Sequence, residues 1–391
     1  MWPEAVKCYN RAPMKIQPIF TLFVTLFIVM VGFGIIFPVI PFISISMGAN
    51  PLEIGFLMAS YSLMQFIFSP FWGSLSDRIG RKPVILIGLS GFALTLAMFG
   101  FAANLFMLFA ARILGGILSS ACLPTAMAYM ADTTTEEERG AGMGMMGAAM
   151  GLGVIVGPAI GGLMSKLHFG APFFLAAGIA AVNMVFTALF LKESKKPHPK
   201  GEIKYDRLKH IVSLRGFIAF IFFLVLVVSF SVSIFEGTFS LFAKDTLGFG
   251  AMEAGIVFAF MGVTGVIVQG LMVGRMIKHM GEELTIKIGL LISAIGFMVV
   301  IFSGNLVMLT ISACLANIGQ SLCRPSLASL ISKDTEYEEG ATMGAMQSVD
   351  SFGRIIGPVV GGFVYQLQFT LPFTLGGGLN FLILLASLFL I

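Results

Sequence analysis

Five charged side chains lie inside long apolar stretches of this 391-residue chain: Arg112, Glu236, Arg324, Asp350 and Arg354. A charge at the centre of a bilayer costs roughly 3 kcal/mol even on lenient scales, so each marks a place where function is to be sought. Glu236 shares its stretch with Phe222, Phe223, Phe230, Phe235, Phe239 and Phe242. A carboxyl group desolvated among such rings can take up and release a proton near neutral pH. Ionised, it also suits a lipophilic cation, through charge pairing with Glu236 and cation–π contact with Phe235 and Phe239. The alternative is a hydrogen-bonded structural acid, or one nearer the outer rim. Asp350 and Arg354 stand one helical turn apart and can neutralise each other, so a structural pair and a proton relay are both open. Arg112 has no acid within a turn of it, which leaves backbone carbonyls, water or the titrating acid as its partners.

A second concentration of chemistry is Gly73–Val84, GSLSDRIGRKPV, wedged between two apolar runs. It packs Asp77, Arg78, Arg81, Lys82, Gly73, Gly80 and Pro83 into one short connection, far more than a turn requires. Asp77 lies where an anion favours a neighbouring helix N-terminus, and Arg78 and Arg81 can reach an acid such as Asp132. A gating charge cluster is the expected role, against a simple cationic anchor. In a third stretch Gly153, Gly157 and Gly161 repeat every four residues, beside Pro158 and Gly162. Their common face lets another backbone approach closely, and Pro158 permits a kink. Gly147, Gly151 and Gly162 enlarge that surface for a sliding or sealing contact, although ordinary tight packing accounts for the glycines as well.

The elements that hold these residues must be membrane helices. Hydrophobic residues make up 57% of the chain and charged residues 11%, with a mean hydropathy of +0.95; a soluble chain carries about 25% charged residues. The apolar residues fall into twelve runs, at about 16–46, 52–75, 82–103, 105–131, 139–166, 170–191, 215–243, 251–277, 284–303, 305–331, 340–366 and 371–391. About 20 apolar residues suffice to cross a hydrocarbon core of roughly 30 Å. The start, MWPEAVKCYNRAP, reads as a polar leader and not as a cleavable signal. Met14 opens the more conventional MKIQPIF, so residues 1–13 are an upstream-start extension or a short cytoplasmic tail.

Charge placement sets the expected topology. The polar segment from Lys192 to Arg215 holds eight of the 24 Lys and Arg residues and reads as a linker. The expected division is 1–191 for an N-terminal six-helix bundle, 192–214 for a cytoplasmic linker and 215–391 for a C-terminal six-helix bundle. One face collects nineteen cations and the other only Lys166 and Lys244, which puts both termini and the linker in the cytoplasm. The net charge of +4 is spread over these connections, so no nucleic-acid partner is expected. Cys8, Cys122, Cys314 and Cys323 show no metal spacing.

The halves repeat at an offset of about 200 residues, as in duplicated transporters. Glu53-x-Gly55 pairs with Glu253-x-Gly255, Cys122-Leu-Pro124 with Cys323-Arg-Pro325, and the stretch 140–162 with 340–362. A degraded copy of the charged loop, GRMIKHMG at Gly274–Gly281, has Lys278 where Asp77 stands.

The charged loop resembles the signature G-x-L-[SA]-D-[RK]-x-G-R-[RK]-x of major facilitator superfamily transporters. GFGIIFPVIP (Gly32–Pro41) is similar to the signature of twelve-helix drug:proton antiporters, and GLGVIVGPAIGG (Gly151–Gly162) to the antiporter Gly-Pro motif. Arg112-Ile-Leu-Gly-Gly116 looks like the family's R-x-x-Q-G, with Gly115 in place of Gln. SIFEGTFSLF (Ser233–Phe242) resembles the acidic segment of Gram-positive multidrug pumps. Those pumps also carry Arg324's counterpart, with an acid where Ser321 stands here, so Asp350 becomes the candidate second carboxylate. The resemblance implies an all-α membrane protein of twelve transmembrane helices in two pseudo-symmetric bundles, the major facilitator fold. It implies a multi-pass, monomeric antiporter of the cytoplasmic membrane that exchanges protons for small hydrophobic, cationic drugs. Proton coupling would rest on Glu236, Asp350 and Arg112, and the cavity on Glu236, Phe235, Phe239 and Arg324. A dedicated tetracycline or metabolite exporter is the rival. A membrane enzyme or a sensor stands outside the class; no nucleotide-binding loop, catalytic cluster or output domain is apparent, and no cofactor is expected.

Overall fold

The computed structural model describes residues 16–194, 216–334 and 339–390. The leader with Cys8, and the linker from residue 195 onward with His198 and His210, lie outside the described residues. Among the described residues thirteen α-helices build twelve spans: α1 (Ile16–Ser46), α2 (Pro51–Ile79), α3 (Arg81–Gly100), α4 (Leu105–Leu118), α5 (Cys122–Thr133), α6 (Glu136–Met164), α7 (Ala171–Phe190), α8 (Gly216–Leu247), α9 (Ala251–Ile267), α10 (Val273–Ile301), α11 (Leu306–Asp334), α12 (Glu339–Leu367) and α13 (Leu371–Leu390). The fourth span is α4 and α5 joined by a 3-10 turn at Ser119–Ala121, just before Pro124, whose missing donor weakens the ladder there. The eighth and ninth spans run together from α9 into α10 and part only at Gly281, where φ is +80°.

The helix ends show why the chain breaks where it does. Asn50 accepts the amide of Glu53 at 3.0 Å while Glu53 accepts that of Asn50 at 2.8 Å, which caps α2. Two hundred residues on, Glu253 accepts the amide of Gly250 at 2.9 Å at the start of α9. Asn104 and Asn305 cap the fourth and tenth spans in the same way, on Met107 and Met308. Glycines with positive φ recur in register, Gly48 with Gly248 and Gly80 with Gly281, where a side chain would be strained. The duplication is therefore written into the backbone as well as the motifs.

Packing follows the repeat. α1 lies on α6 and α8 on α12; α3 lies on α7 and α10 on α13. The two sets of spans meet through α2 on α12 and α6 on α9. Gly153, Gly157 and Gly161 face α1, and a Cβ on Gly157 would run into the Val31 carbonyl and the Gly34 backbone. The neighbouring face of α6 crosses to the other half: Gly162 abuts Ala251 and Met252, and Gly255 abuts Pro158. In α12, Gly362 abuts Pro51 and Leu52, and Gly55 meets the Pro358 carbonyl. One helix thus uses one small-residue face for its own half and another for the partner half.

These cross-half contacts cluster at the end of the bundle that bears Gly48 and Gly248. There Gln366 donates to Asn50 Oδ1 at 2.9 Å, and deeper in, Ser240 donates to the Phe37 carbonyl at 3.3 Å. Toward the opposite end the glycine contacts between halves reach as far as Gly262 on Ile155 and Gly151 on Val266, and beyond them Gly147, Gly270 and Gly344 meet nothing of the other half. The bundle is closed at the Gly48 end and parted at the Gly80 end. Large apolar side chains such as Phe20, Leu94, Phe106, Val182, Leu189, Val307 and Leu382 are exposed around the outside, as a lipid-facing surface requires.

Candidate functional site between the halves

α1, α2, α4, α8 and α12 surround one small cavity, lined by Phe33, Phe37, Met58, Tyr61, Ser62, Arg112, Ser233, Glu236, Gly237, Arg354 and Pro358. It draws on both halves at once. Its volume is about 30 Å³, room for a single water and far below the several hundred Å³ of a drug-sized site. A larger guest therefore enters only when the walls part.

Glu236 points into this cavity, half-buried, with no hydrogen bond or ion pair among the described residues. Of the lining residues it is the one carboxylate. Its aromatic surroundings differ from the expectation. Phe235 and Phe239 are buried in a core built mainly by the second half and joined by Ala49 and Ile54 of the first, stacked on each other at 4.9 Å between centroids and packed against Phe297, Phe373 and Phe258. They flank Glu236 in sequence, yet neither lines the cavity. The rings beside Glu236 come instead from the first half: Phe33, Phe37 and Tyr61, with Phe33 edge-on to Phe37 at 5.2 Å.

Asp350 is fully engaged. Arg324 Nη2 donates to its Oδ1 at 2.6 Å, Arg354 Nε to its Oδ2 at 3.2 Å, and the Ser229 hydroxyl to Oδ1 at 2.5 Å. The i, i+4 pair seen in sequence is thus a triad completed by Arg324 from α11. Arg324 is not on the cavity wall, whereas Arg354 is. One carboxylate shared by two guanidiniums leaves the triad with a positive excess.

Arg112 is 3% exposed and reaches the cavity from α4. One of its terminal nitrogens donates to the Met58 thioether, its guanidinium lies 5.6 Å from the centroid of the Tyr61 ring, and its Nε has no hydrogen-bond partner among the described residues. A thioether is a weak acceptor and a ring face a modest one, so this buried cation is incompletely satisfied. Gly115, where the family motif has Gln, lies against Tyr61 and Thr95 without a side chain to offer.

The charged loop sits at the parted end, away from the cavity. Arg81 donates to Asp132 at 2.9 Å and to Ser76 at 2.6 Å, and pairs with Asp77 at 2.7 Å. Asp77 therefore binds within its own half. Arg78 is exposed and forms no ion pair among the described residues, while Lys82 Nζ donates to the Ala188 carbonyl at 2.7 Å. One participant is absent from the sequence reading: Glu193, just past α7. Its carboxylate accepts the amides of Arg81 at 2.8 Å and Lys82 at 3.1 Å, so it caps α3 where the helix dipole favours an anion. In the second half Gly281 reproduces the backbone break, but the charge there is reversed: Glu282 follows it, accepting from Ser329 at 2.8 Å, where Arg81 follows Gly80.

Comparison with known proteins gives a consistent answer. The Major Facilitator Superfamily model matches residues 22–336 and 221–391. Multidrug resistance protein 2 of Bacillus subtilis is 33% identical over 370 residues, covering 91% of this chain and 92% of that protein. Quinolone resistance protein NorA of Staphylococcus aureus (strain COL) is 27% identical over 365 residues, covering 93% and 94%. Among solved structures, the nucleoside transporter NupG superposes with a TM-score of 0.81 at 13% identity, over 95% of this chain and 98% of that one. With the family model matching nearly the whole chain and the helical repeat folded as that family folds, this protein belongs to the Major Facilitator Superfamily.

Proposed function

We propose that the protein is a proton-coupled antiporter that exports hydrophobic, basic drugs across the cytoplasmic membrane by alternating access. The observation that carries this reading is the unpaired Glu236 carboxylate facing a cavity between the two halves. A cargo cation and a proton compete for that one group, and competition for one group is the simplest form of antiport. Support comes from the relatives, whose names are multidrug resistance protein and quinolone resistance protein.

The cation-rich connections favour a cytoplasmic Gly80 end, with both termini on that side. On that orientation the parted end faces inward and the Gly48 end is sealed, so the fold stands in an inward-facing arrangement. Cargo enters from the cytoplasm, the halves rock, and a proton from outside displaces the cargo from Glu236. The protonated, empty carrier rocks back and discharges inward. One proton entering for each monocation leaving moves no net charge, so the pH difference across the membrane drives the cycle without a cofactor, at about 1.4 kcal/mol for each tenfold difference in proton activity. The unit of function is the monomer, since one chain holds the complete cavity.

The test is a drug-susceptibility panel in a host stripped of its own pumps. The wild-type chain raises the tolerated concentration of ethidium and similar lipophilic cations several-fold. No gain for any compound on the panel would remove the export reading.

A further inference from the structure

We infer that the outer wall of the first half carries a binding site for a neutral lipophilic phenol, seated between α1 and α7 and separate from the central cavity. α1 packs on α7, and the two leave a groove of about 630 Å³, against about 30 Å³ for the cavity between the halves. That is room for a drug-sized molecule. Phe20 of α1 with Phe174 and Phe186 of α7 supply rings, and Gly178 widens the floor, since a Cβ there would meet nothing within 4 Å. Of the ten lining residues only Asn183 has a polar side chain, and none is charged. A cation of the kind that suits Glu236 finds no counter-ion here.

The polar exception selects the ligand. Asn183 is 2% exposed, and its Nδ2 donates to Thr25 Oγ1 at 3.4 Å. The hydroxyls of Thr25 and Thr187 bond each other at 3.1 Å. The Asn183 Oδ1 is buried with no hydrogen-bond partner among the described residues, a costly state where hydrocarbon replaces water. Depth narrows the choice of donor. α7 has 20 residues, about 30 Å at a rise of about 1.5 Å per residue, which matches the hydrocarbon core. Asn183 stands two turns before the last residue, Phe190, and so lies about 10 Å inside the edge of that core at the Gly80 end. Lipid headgroups stay at the interface, and acyl chains carry no donor. A hydroxyl on an apolar body meets both demands. A phenol adds a ring for the faces of Phe20 and Phe186, and it stays uncharged at neutral pH. An apolar tail on it would run along α7 toward Phe174. Both helices belong to the first half, so rocking of the halves leaves the groove intact and its occupant does not compete with cargo.

The test is photoaffinity labelling of purified full-length protein in lipid nanodiscs, with labelled residues read by mass spectrometry. The probe is para-nonylphenol carrying a diazirine in its tail. Labels should fall on the groove faces of α1 and α7. Unmodified para-nonylphenol should suppress them, and its methyl ether, the same body without the donor, should be at least about tenfold weaker as a competitor. Asn183→Leu should bring groove labelling down to the level of other lipid-facing helices. Ethidium and Glu236→Gln should leave it within about twofold, so the site stands or falls apart from the export reading. If Asn183→Leu does not fold, the methyl ether of the photoprobe on wild-type protein carries the comparison. Equal competition by phenol and ether, or labels spread evenly over the lipid-facing helices, would mean a groove for acyl chains only and overturn the site. Displacement by ethidium would overturn it as well. So would disulfide-linked dimers of Val182→Cys in the bilayer, which would assign the groove to a second copy of the chain.

Discussion

Replacing Glu236 by Gln is expected to abolish proton-driven export of ethidium while the protein still folds and reaches the membrane. Gln keeps the size and hydrogen-bonding shape of the side chain but carries neither the charge nor the exchangeable proton. Because Glu236 makes no hydrogen bond or ion pair among the described residues, the change is expected to remove function without breaking a structural contact. In everted vesicles acidified inside, wild-type chain accumulates ethidium and the variant does not rise above the empty-vesicle signal. Thermal melting of the detergent-purified variant should stay within a few degrees of wild type. Undiminished uptake by the variant would move the coupling site elsewhere.

Asp350→Asn should behave in the opposite manner, damaging the fold first. Its carboxylate holds Arg324 at 2.6 Å and Arg354 at 3.2 Å. Neutralising it leaves two guanidiniums facing one another in a desolvated setting. Removing one member of a buried ionic cluster costs about 3–5 kcal/mol, whereas replacing the whole cluster by apolar residues is often neutral. Asp350→Asn is therefore expected to melt well below wild type. The triple variant Asp350→Asn, Arg324→Met, Arg354→Met should recover most of that loss, a non-additive result that a coupling network requires. If Asp350→Asn melted normally but failed to transport, the relay role would be restored.

Much of the fold was legible because membrane spans are written in run length. All twelve apolar runs became helical spans, with ends set by caps that sequence displays openly: Asn50 with Glu53, Asn104, Gly248 and Gly250. The repeat was legible for the same reason, since glycine and proline positions are dictated by backbone geometry. Two details differed: the fourth span is broken by the 3-10 turn at Ser119–Ala121, and the eighth and ninth spans join where the chain bends at Gly281 without leaving the helix for long.

The site was half legible. A carboxylate in an apolar run is conspicuous, so Glu236, Asp350 and Arg112 stood out. What the aromatic residues could not disclose was direction. The phenylalanines of α8 lie all round the helix and do not mark the cavity face; the stripe of Ser229, Ser233, Glu236 and Ser240 at helical spacing is the local sign of it. Phe235 and Phe239 were thus assigned to the cavity although they pack in a core built mainly by the second half. Spacing revealed Arg354 beside Asp350, but Arg324 reaches the same acid from another helix, and no local pattern encodes such a contact. Glu193 was missed because it stands at the head of a charged segment and looks like its neighbours. Its role arises only when the end of α7 comes beside the start of α3. The lack of an acid within a turn of Arg112 was visible, while the weakness of the partners it finds was not.

The account comes down to an exchange at one carboxylate in one cavity. Proteoliposomes containing purified protein, a trapped pH indicator and no imposed gradient test this most directly. Adding ethidium to one side should drive protons toward that side as ethidium crosses, with both fluxes absent in the Glu236→Gln variant. Ethidium movement that proceeds with no proton flux in the opposite direction would contradict it.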